Sequence, residues 1–407
     1  MHEHVVVAGG GQSGAQLVSS LRDEGFDGRV TLVCAEPEAP YQRPPLSKGY
    51  LSGTESDAAL PLRAEHFYAD HDVRVLPGQR VCGVDGHARR VQLADGGLLD
   101  YTHLVLATGA RNRALAIPGA DLDGVLSLRD LGDARELRKR LAQADRIAVI
   151  GAGFIGLEVA SVARQLGTRV LLLEAADRPM SRAVSAPTAE WFAAAHRRAG
   201  VELHHGCQVG ELLGRSGTVT GLRTRQGAEY RADLVLMAVG VRPNDEIAAQ
   251  ADLAVSDGIV VDEYLATGDP AVSAIGDCTR FPSRFAAGPV RLESVQNAVD
   301  QARCLARRLV GKPQPYAALP WFWSHQGGNK LTIAGLADHA DRFVTRGDPA
   351  TGKFSVWCFR GRRLLAAESV NRPAEHMAAR RLLTAGRNPT PEQAADLDFD
   401  LKHHAAT

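Results

Sequence analysis

The pattern Gly-x-Gly-x-x-Gly occurs twice in this chain of 407 residues, each time directly after a short apolar run. The first copy is Gly9–Gly14 after Val5–Ala8, and the second is Gly151–Gly156 after Ile147–Ile150. A continuous β-branched run is typical of a buried parallel strand, and the glycine turn lets the backbone approach a pyrophosphate at a helix N-terminus. One copy is weak evidence, but two copies predict that the chain holds two dinucleotides.

The segments after each glycine turn predict a strand–helix–strand unit. Apolar residues at helical spacing follow the first turn, and the strand Val30–Val33 then leads to Glu36. A similar helix follows the second turn, and the strand Val170–Leu173 leads to Glu174. Three later apolar runs end on small or acidic residues, namely on Thr108 and Gly109, on Val239 and Gly240, and on Gly276 and Asp277.

The C-terminal part differs, since tryptophans and short alternating stretches appear from about Tyr316. Lys353–Phe359 and Arg363–Ala367 predict antiparallel strands, and Ala374–Leu383 predicts an amphipathic helix. The predicted fold is α/β, with two Rossmann-like dinucleotide-binding domains and a C-terminal α+β domain. The predicted boundaries are 1–112 with 244–315 for the first domain, 113–243 for the second and 316–407 for the third.

Composition excludes several classes of protein. The formal net charge is zero, whereas nucleic-acid-binding domains are normally strongly basic. No apolar stretch is long enough for a membrane span, and Met1–His4 lead directly into the first strand without the regions of a signal peptide. The six cysteines lack the close spacing of a zinc site, an iron–sulfur site or a redox disulfide. We therefore expect reduced thiols, no metal site, no nucleic acid, no membrane contact and a cytoplasmic location.

Glu36 and Glu174 are candidates for the acidic residue that hydrogen-bonds the adenosine ribose about 20 residues beyond a glycine turn. The alternative is that each merely ends a strand, and it carries more weight for Glu36, whose spacing is longer. No arginine directly follows Glu174 to receive a 2′-phosphate, so NADH is favoured over NADPH, although Arg178 lies nearby.

Six further segments, in this order, resemble those of the FAD-dependent, NADH-using ferredoxin reductases, the putidaredoxin reductase and biphenyl dioxygenase reductase group. They are Pro45–Lys48, Ala107–Arg111, Gly153–Glu158, Ala274–Cys278, Val295–Ala298 and Pro320–Ser324. The resemblance extends from Val5 to about Arg387 and implies a glutathione-reductase-like flavoprotein architecture. It assigns the first glycine turn to FAD and the second to NADH.

The resemblance also implies which residues bind the two cofactors. At FAD they are Gly9, Gly11, Ser13, Gly14, Glu36, Arg43, Lys48, Val81, Thr108, Gly109, Arg129, Asp277 and, at the isoalloxazine edge, Val295. At NADH they are Gly151, Gly153, Ile155, Gly156, Glu174 and Gly240. Nothing in the bare sequence selects Val81 or Arg129. Asp277, implied at the ribityl chain or pyrophosphate of FAD, could instead be a plain helix N-cap.

Lys48, Glu158 and Trp323 are the predicted catalytic residues. A cation such as Lys48 beside the flavin can stabilise the negative charge that a hydride brings, whereas in most proteins a loop lysine is simply solvated. Glu158 faces the nicotinamide by resemblance, or is a first-turn helix glutamate favoured by the dipole. Trp323 is expected at the flavin and offers an electron path, although Trp321, Phe322 and Trp323 could simply seal the third domain onto the first.

Three sequence features distinguish this chain from relatives. Gln42–Tyr50 contains no cysteine, so the thiol–disulfide exchange of disulfide-reducing relatives has no nucleophile here. His325 stands where relatives usually have Asp or Asn, and could affect partner docking or flavin access. Ala35 stands where relatives often carry a second acid, which puts more weight on Glu36.

The function that the resemblance implies is electron transfer from NADH through FAD to a small acidic 2Fe–2S ferredoxin, which serves a monooxygenase or a ring-hydroxylating dioxygenase. An acidic partner predicts a basic docking face. The candidates are Arg307 with Arg308, Arg360 with Arg362 and Arg363, and Arg380 with Arg381. The alternatives are a rubredoxin reductase, an NADH oxidase, or a redox-sensing interaction protein like the apoptosis-inducing factors. The oligomeric state, monomer or homodimer, is left open.

Overall fold

The computed structural model of the chain describes residues 3–64 and 66–406. Met1 and His2, which entered the signal-peptide prediction, lie outside the described residues, as does Thr407, the last residue of the predicted third domain. The chain forms two compact units. The first unit comprises residues up to Gln42, Ala58–Arg111 and Arg242–Pro320, and the second comprises Arg43–Asp57, Asn112–Val241 and the residues from Trp321. The three-domain division of the chain stays a prediction.

A five-stranded parallel sheet forms the centre of the first unit. Its strands, in spatial order, are Val272–Ala274, His103–Leu106, His4–Ala8, Arg29–Val33 and Val73–Leu76. The apolar run before the first glycine turn is thus the central strand, buried on both faces as its continuous β-branched sequence requires. This unit also contains an antiparallel sheet of Val81–Asp85, Arg90–Leu93 and Leu98–Asp100, and a small parallel pair, Ile259–Val260 with Thr279–Arg280.

The helices of the first unit are Gln12–Asp23, Phe67–Asp70, Glu246–Gln250 and Val295–Leu309. Gln12–Asp23 and Val295–Leu309 pack against each other. The second of these buries Ala298, Ala302 and Leu305, three residues at helical spacing. With the buried faces of the parallel strands, these side chains form the core of the first unit.

The second unit repeats the same arrangement. Its parallel sheet has the spatial order Glu202–His204, Arg169–Leu173, Arg146–Ile150, Leu234–Met237 and Val125–Ser127. The run before the second glycine turn is again the central strand. An antiparallel sheet of Val209–Arg215, Thr218–Thr224 and Glu229–Arg231 accompanies it.

The C-terminal segment of the second unit contains a five-stranded antiparallel sheet. Its spatial order is Trp321–Gln326, Asn329–Gly335, Arg363–Val370, Lys353–Arg360 and Arg342–Asp348. The predicted helix of this region extends over Pro373–Ala385, a little beyond the predicted bounds. The predicted α/β fold, with two Rossmann-like sheets and a C-terminal α+β part, is confirmed.

The second unit has the following helices: Gly49–Ser52, Leu131–Leu141, Phe154–Gln165, Ala186–Arg198, Pro373–Ala385, Pro391–Ala395 and Leu401–Ala406. Pro44–Ser47 and Pro349–Thr351 are short 3₁₀ helices, and a third, Asp57–Ala59, lies where the chain re-enters the first unit. Two short strands, Ala110–Asn112 and Val241–Pro243, lie at two other points where the chain passes from one unit to the other.

Candidate functional site

The first glycine turn connects the central strand of the first unit to the helix Gln12–Asp23. Gly9 has a φ of +126°, and a Cβ there would lie 2.1 Å from the Ala107 carbonyl oxygen, so only glycine fits. At Gly11, in contrast, a Cβ would meet nothing within 4 Å. Gly11 is also the helix N-cap, has no side-chain cap, and is followed by no acidic residue in the first turn. The free N–H groups and open space fit a pyrophosphate, as FAD requires.

Glu36 lies beyond the strand next to the glycine turn, at the same sheet edge. Its carboxylate accepts a short hydrogen bond from the Tyr41 hydroxyl, and its carbonyl oxygen accepts from Gly78 N–H. Glu36 is half-buried. An acidic group fixed at this position can reach ribose hydroxyls, which supports the ribose interpretation over that of a plain strand end.

The other FAD residues predicted on the first unit lie around the same sheet edge. A Cβ at Gly276 would lie 2.6 Å from Ser13 Oγ, which brings the Gly276–Asp277 turn to the start of the first glycine helix. Thr108 Oγ1 donates to the Asn244 carbonyl at 2.6 Å and fixes the Thr108–Gly109 turn. Val81 begins a strand just after Gln79, whose N–H bonds Cys34 at the end of the neighbouring parallel strand.

One alternative interpretation around this edge is wrong. Asp277 is not a helix N-cap, because it lies in a turn that continues into the strand Thr279–Arg280. The next helix begins at Val295, and its N-cap is Ser294, whose side chain accepts from Asn297 N–H at 3.0 Å. The N-terminal end of this helix, with Val295 half-buried, presents backbone donors, as a flavin edge would need.

The second glycine turn repeats the first. Gly151 has a φ of +104°, and a Cβ there would lie 2.4 Å from the Ala238 carbonyl oxygen. Gly153 corresponds to Gly11 and again has open space where a Cβ would lie. Ile155, in the first turn of the helix, is 42% exposed beside this space. The residues present therefore fit a second dinucleotide.

Glu174 is held against this turn by backbone donors. Its two carboxylate oxygens accept from Ala152 N–H at 2.6 Å and from Ala176 N–H at 2.8 Å. Gly240, with a φ of +93°, ends the neighbouring strand segment. Arg178 donates to the Ser181 carbonyl at 3.2 Å, so one of its nitrogens is engaged with its own loop.

Arg43, Lys48 and Arg129 belong to the second unit, together with the predicted NADH residues. Arg43 Nη1 donates to the Arg129 carbonyl at 2.6 Å. Arg129 N–H in turn donates to Asp133 at 2.8 Å, just before the helix Leu131–Leu141. The structure thus brings Arg43 and Arg129 together, as part of the loop Arg43–Asp57 and the segment that precedes the helix.

Lys48 and Glu158 form an ion pair in the second unit. Lys48 Nζ lies 2.6 Å from Glu158 Oε2, the Lys48 side chain is 20% exposed, and Glu158 is 2% exposed. Lys48 is therefore not the plain solvated loop lysine of the alternative interpretation. Glu158 is not a first-turn residue either, because its helix begins at Phe154 and has no acid in its first turn. Its burial is explained by hydrogen bonds from Lys48, Ser47 and Ser324.

The aromatic segment Trp321–Gln326 is an edge strand whose side chains alternate between two faces. Phe322, Ser324 and Gln326 share one face, and the Phe322 ring lies 4.5 Å from that of Phe154 at the start of the second glycine helix. Trp321 and Trp323 share the other face with their rings 5.4 Å apart and half-buried. His325 lies on this second face and is largely exposed. Partial desolvation of its ring, and then the charges of Lys330 and Lys48, lower the pKa of its imidazole.

The predicted basic clusters differ in what they contact. Arg307 pairs with Glu24 at 3.1 Å, and Arg308 donates to the Tyr264 carbonyl at 3.0 Å. This cluster is thus used within the first unit. Arg380 lies over the Trp321 ring at 4.7 Å, and Arg360, Arg362 and Arg363 are exposed.

Sequence reasoning gave no function to several residues at these sites, namely Tyr41, His196 and Gln326, nor a role to Ser47 and Ser324. Polar residues at alternate positions of an otherwise aromatic strand were the available signal for Ser324 and Gln326. His196 gave none, because its partner Gln326 is 130 residues away in sequence. Tyr41 lies only five residues from its partner Glu36, but the Pro-rich segment between them has no regular periodicity that would predict the contact.

The six cysteines are all free thiols in the structure. Among residues 3–64 and 66–406, no group of three or more His, Cys, Asp or Glu side chains is placed to hold a metal ion. No helix in the described part of the chain is long and apolar enough to span a membrane.

Comparisons with known proteins agree with this geometry. The family model described as "Pyridine nucleotide-disulphide oxidoreductase" matches residues 3–302, and the one described as "Reductase C-terminal" matches 321–405. Rhodocoxin reductase of Rhodococcus erythropolis is 50% identical over 398 residues, which cover 98% of this chain and 93% of that protein.

Two solved structures have the same fold. A ferredoxin reductase from Rhodopseudomonas palustris is 45% identical with a TM-score of 0.97, covering 99% of this chain and 100% of its own. Putidaredoxin reductase, in its covalent complex with putidaredoxin, is 38% identical with a TM-score of 0.97, covering 99% and 98%.

The chain belongs to the pyridine nucleotide-disulphide oxidoreductase family. It is an FAD-dependent oxidoreductase of the ferredoxin reductase type that uses NAD(P)H. The resemblance, the fold class and the two cofactor classes predicted from the sequence are thereby confirmed.

Proposed function

We propose that this protein is an NADH:ferredoxin reductase that passes electrons to a small acidic 2Fe–2S ferredoxin, which in turn serves a monooxygenase or ring-hydroxylating dioxygenase. The observation that carries the proposal is the pair of glycine turns, each at the end of a central parallel strand, each with an open helix N-terminus and an acid fixed nearby. A flavin, when bound, supplies the chemistry that accepts electrons in pairs and releases them singly.

FAD is assigned to the first glycine turn. Gly9, Gly11, Ser13 and Gly14 would hold the pyrophosphate, Glu36 the ribose, and Asp277 the ribityl chain or pyrophosphate. Thr108, Gly109, Val81 and Val295 would line the flavin. Arg43 and Arg129, which contact each other in the second unit, are also assigned to FAD. The open space at Gly11 and the Ser13–Gly276 approach support this assignment.

NADH is assigned to the second glycine turn. Gly151, Gly153, Ile155, Gly156 and Gly240 would line it. Glu174, whose two oxygens each accept one backbone N–H, keeps acceptor capacity for the ribose 2′- and 3′-hydroxyls. A carboxylate at this point repels a 2′-phosphate, which supports NADH over NADPH.

Lys48 and Glu158 are assigned to the reaction centre as a paired cation and carboxylate, and Trp323 to the flavin and the electron path. The buried ion pair supports the first role, because a cation held in one place can stabilise developing negative charge without reorganisation. The half-buried Trp321–Trp323 ring pair supports the second. A cytoplasmic location fits the six free thiols.

A steady-state experiment tests the function. Purified protein is given NADH or NADPH together with a 2Fe–2S ferredoxin, a rubredoxin or no carrier. The expected result is rapid ferredoxin reduction with NADH as the preferred donor. Equal NADH consumption without a carrier would indicate an oxidase, and preferred rubredoxin reduction a rubredoxin reductase. A long-lived coloured complex with NADH and slow reduction of every carrier would indicate a sensor; each of these three results contradicts the proposal.

A further inference from the structure

The Glu158 carboxylate is fixed by three donors from two separate segments of the second unit. Lys48 Nζ and Ser47 Oγ both lie 2.6 Å from Oε2. Ser324 Oγ lies 2.6 Å from Oε1. Ser47, Glu158 and Ser324 are each no more than 2% exposed, so water does not replace these contacts. Each oxygen therefore has its own donors, and the plane of the carboxylate is determined.

Behind Ser324, the hydrogen bonds continue to the helix Ala186–Arg198. Gln326 Nε2 donates to Ser324 Oγ at 3.2 Å, and Gln326 Oε1 lies 3.0 Å from His196 Nε2. Both Gln326 and His196 are buried, and burial lowers the pKa of the His196 imidazole. His196 is thus a neutral ring whose Nε2–H donates to Gln326.

All donors in this series point toward Glu158. His196 donates to Gln326, Gln326 donates to Ser324, and Ser324 donates to the carboxylate. Hydrogen bonds in such a sequence polarise one another, and here each strengthens the donor that reaches Glu158 Oε1. The residues that support Glu158 Oε1, Ser324 and Gln326, are therefore on the first strand of the C-terminal sheet, not on the glycine helix that carries Glu158.

We propose that Ser324 and Gln326 are positioning residues for the Lys48–Glu158 pair, and that they set the place of the Lys48 ammonium during flavin reduction by NADH. This inference rests on the proposed function. Lys48 has a flexible stem, and its ammonium also donates to the Pro44 carbonyl oxygen at 3.1 Å and to Ser47 Oγ at 3.3 Å. Glu158 Oε2 is its one carboxylate contact in the described part of the chain. If the carboxylate turns, the ammonium loses its charged partner and keeps neutral acceptors, so its mean position shifts.

The decisive variant is Ser324→Ala, which removes the donor to Oε1 and adds no bulk. Stopped-flow measurement at saturating NADH should show flavin reduction slowed about tenfold, with flavin content and the apparent affinity for NADH unchanged. Ser324→Thr keeps the hydroxyl and should recover most of the rate. Gln326 is one hydrogen bond further from the Glu158 carboxylate than Ser324, so Gln326→Leu should slow flavin reduction by only about threefold.

Ser369→Ala is the matched control. Ser369 is a fully buried serine of the same antiparallel sheet, and its hydroxyl has no hydrogen-bond partner in the structure. Its removal should leave flavin reduction at the wild-type rate. A loss equal to that of Ser324→Ala would mean that any cavity in this sheet slows the enzyme, and would overturn the proposal.

A second measurement reads the position of Lys48 directly. Brief acetylation of the holoenzyme followed by mass spectrometry gives the labelling rate of each lysine. In Ser324→Ala, Lys48 should be labelled about threefold faster relative to the exposed Lys330, while this ratio stays unchanged in Ser369→Ala. An unchanged Lys48 ratio in Ser324→Ala would contradict the proposal even if the rate falls.

A double-mutant cycle between Ser324 and Glu158 completes the test. In a Glu158→Gln background, Ser324→Ala should have little further effect, since the group that it positions is already changed. Full additivity of the two losses would overturn the positioning role. Failure of the proposed function has a different signature, because the wild-type protein with NADH would then reduce rubredoxin or oxygen in place of ferredoxin, or reduce every carrier slowly, whatever the variants do.

Discussion

The two glycine turns are built on one plan down to the residue. In the first sheet Val5 pairs with His103, and in the second Ile147, at the same distance before its turn, pairs with Leu234. Gly9 and Gly151 each lie against a carbonyl oxygen of the neighbouring strand segment, and Gly11 and Gly153 each face open space. The shared plan gives each turn what any dinucleotide needs, a close backbone approach and free N–H donors.

The turns differ in the side chains around this common frame. Glu36 is held by a tyrosine hydroxyl, whereas Glu174 is held by the backbone of its own glycine turn. Gln16 of the first helix bonds Ser20 of the same helix, whereas Glu158, at the equivalent position of the second, reaches Lys48 and Ser324 on other segments. The difference teaches that the frame is common to both turns, while the residue five positions past the middle glycine distinguishes them. Under the proposed function this residue of the second turn, Glu158, belongs to the reaction centre.

Replacing the first glycine of each turn by alanine should give the largest effects, and the two variants should lose different activities. In Gly9→Ala the new methyl meets the Ala107 carbonyl, so the protein should purify almost free of flavin. In Gly151→Ala the clash is with Ala238, so flavin should remain while NADH-dependent reduction falls at least about a hundredfold. Flavin absorbance and NADH kinetics measure the two losses.

Gly25→Ala and Gly167→Ala are the controls for these variants. Both glycines follow the helix of their unit at positive φ, 87° and 90°, with nothing within 4 Å of a Cβ. In these two variants alanine adopts a similarly strained positive φ but meets no neighbouring atom. Both variants should therefore retain flavin and NADH turnover. Flavin loss in Gly151→Ala with retention in Gly9→Ala would reverse the assignment of the turns.

Removing the acid at the second turn should have a smaller effect. Glu174→Ala should raise the KM for NADH about tenfold and narrow the preference over NADPH, because a charged hydrogen-bond acceptor is lost and phosphate repulsion is relieved. Steady-state kinetics with both cofactors measure this. The equivalent change at the first turn, Glu36→Ala, should weaken flavin retention and leave the NADH-to-NADPH ratio unchanged. An unchanged ratio in Glu174→Ala would remove this residue from the ribose.

His103 in the first sheet and Leu234 in the second occupy equivalent positions, but only His103 can titrate. We therefore expect this position to make the stability of the protein depend on pH through the first sheet and not through the second. Burial, and then the charge of Arg308, lower the pKa of His103 to about 4, while its ring bonds Ser273 at 2.8 Å. The folded state thus binds this proton less readily than the unfolded chain. The neutral His103 ring makes its full contribution to the free energy of unfolding above pH 6.5. This contribution is lost as the pH falls to about 4, and for this half-buried ring the loss is about 2 kcal/mol.

Melting temperatures at pH 7.5 and 5 measure this effect. His103→Gln keeps a side chain that can bond Ser273 but does not titrate, so its melting temperature should fall less between the two values than that of the wild type. Equal falls for both proteins would show that His103 does not contribute.

The smallest expected effect concerns how Glu36 is held. Tyr41→Phe removes the hydroxyl that donates to Glu36 and should weaken FAD binding by about threefold to tenfold, the value of one hydrogen bond to a carboxylate. Tyr68→Phe is matched, since that buried hydroxyl of the same unit has no hydrogen-bond partner among residues 3–64 and 66–406. Flavin release in dilute denaturant compares them; equal release would show that Tyr41 does not support the site.

The sequence predicted the frame because the frame is local. A β-branched run, a glycine turn and an apolar helix face are adjacent in the chain, so both parallel sheets and both turns could be located. The C-terminal helix was located within two residues at each end, at Pro373–Ala385, since its periodicity is also local.

The arrangement around Glu158 could not be predicted, because it joins Ser47, Ser324 and the glycine helix across more than a hundred residues of chain. The N-cap interpretation of Asp277 failed for a related reason. A strand-ending acid before an apolar stretch looks the same whether a helix or, as here, another short strand follows. The roles of the individual cofactor residues stay predictions.

Arg346, on the strand Arg342–Asp348, holds residues 394–399 against the C-terminal antiparallel sheet. Its guanidinium is 6% exposed and donates to the carbonyl oxygens of Ala394, Asp396, Leu397 and Phe399, and to Glu375. Trimming the protein near residue 390 to shorten it for crystallisation or fusion would remove four of these five acceptors and leave the Glu375 carboxylate, so the sheet that carries Arg346 should be destabilised. Engineers who wish to attach a ferredoxin covalently should therefore leave residues 391–399 whole.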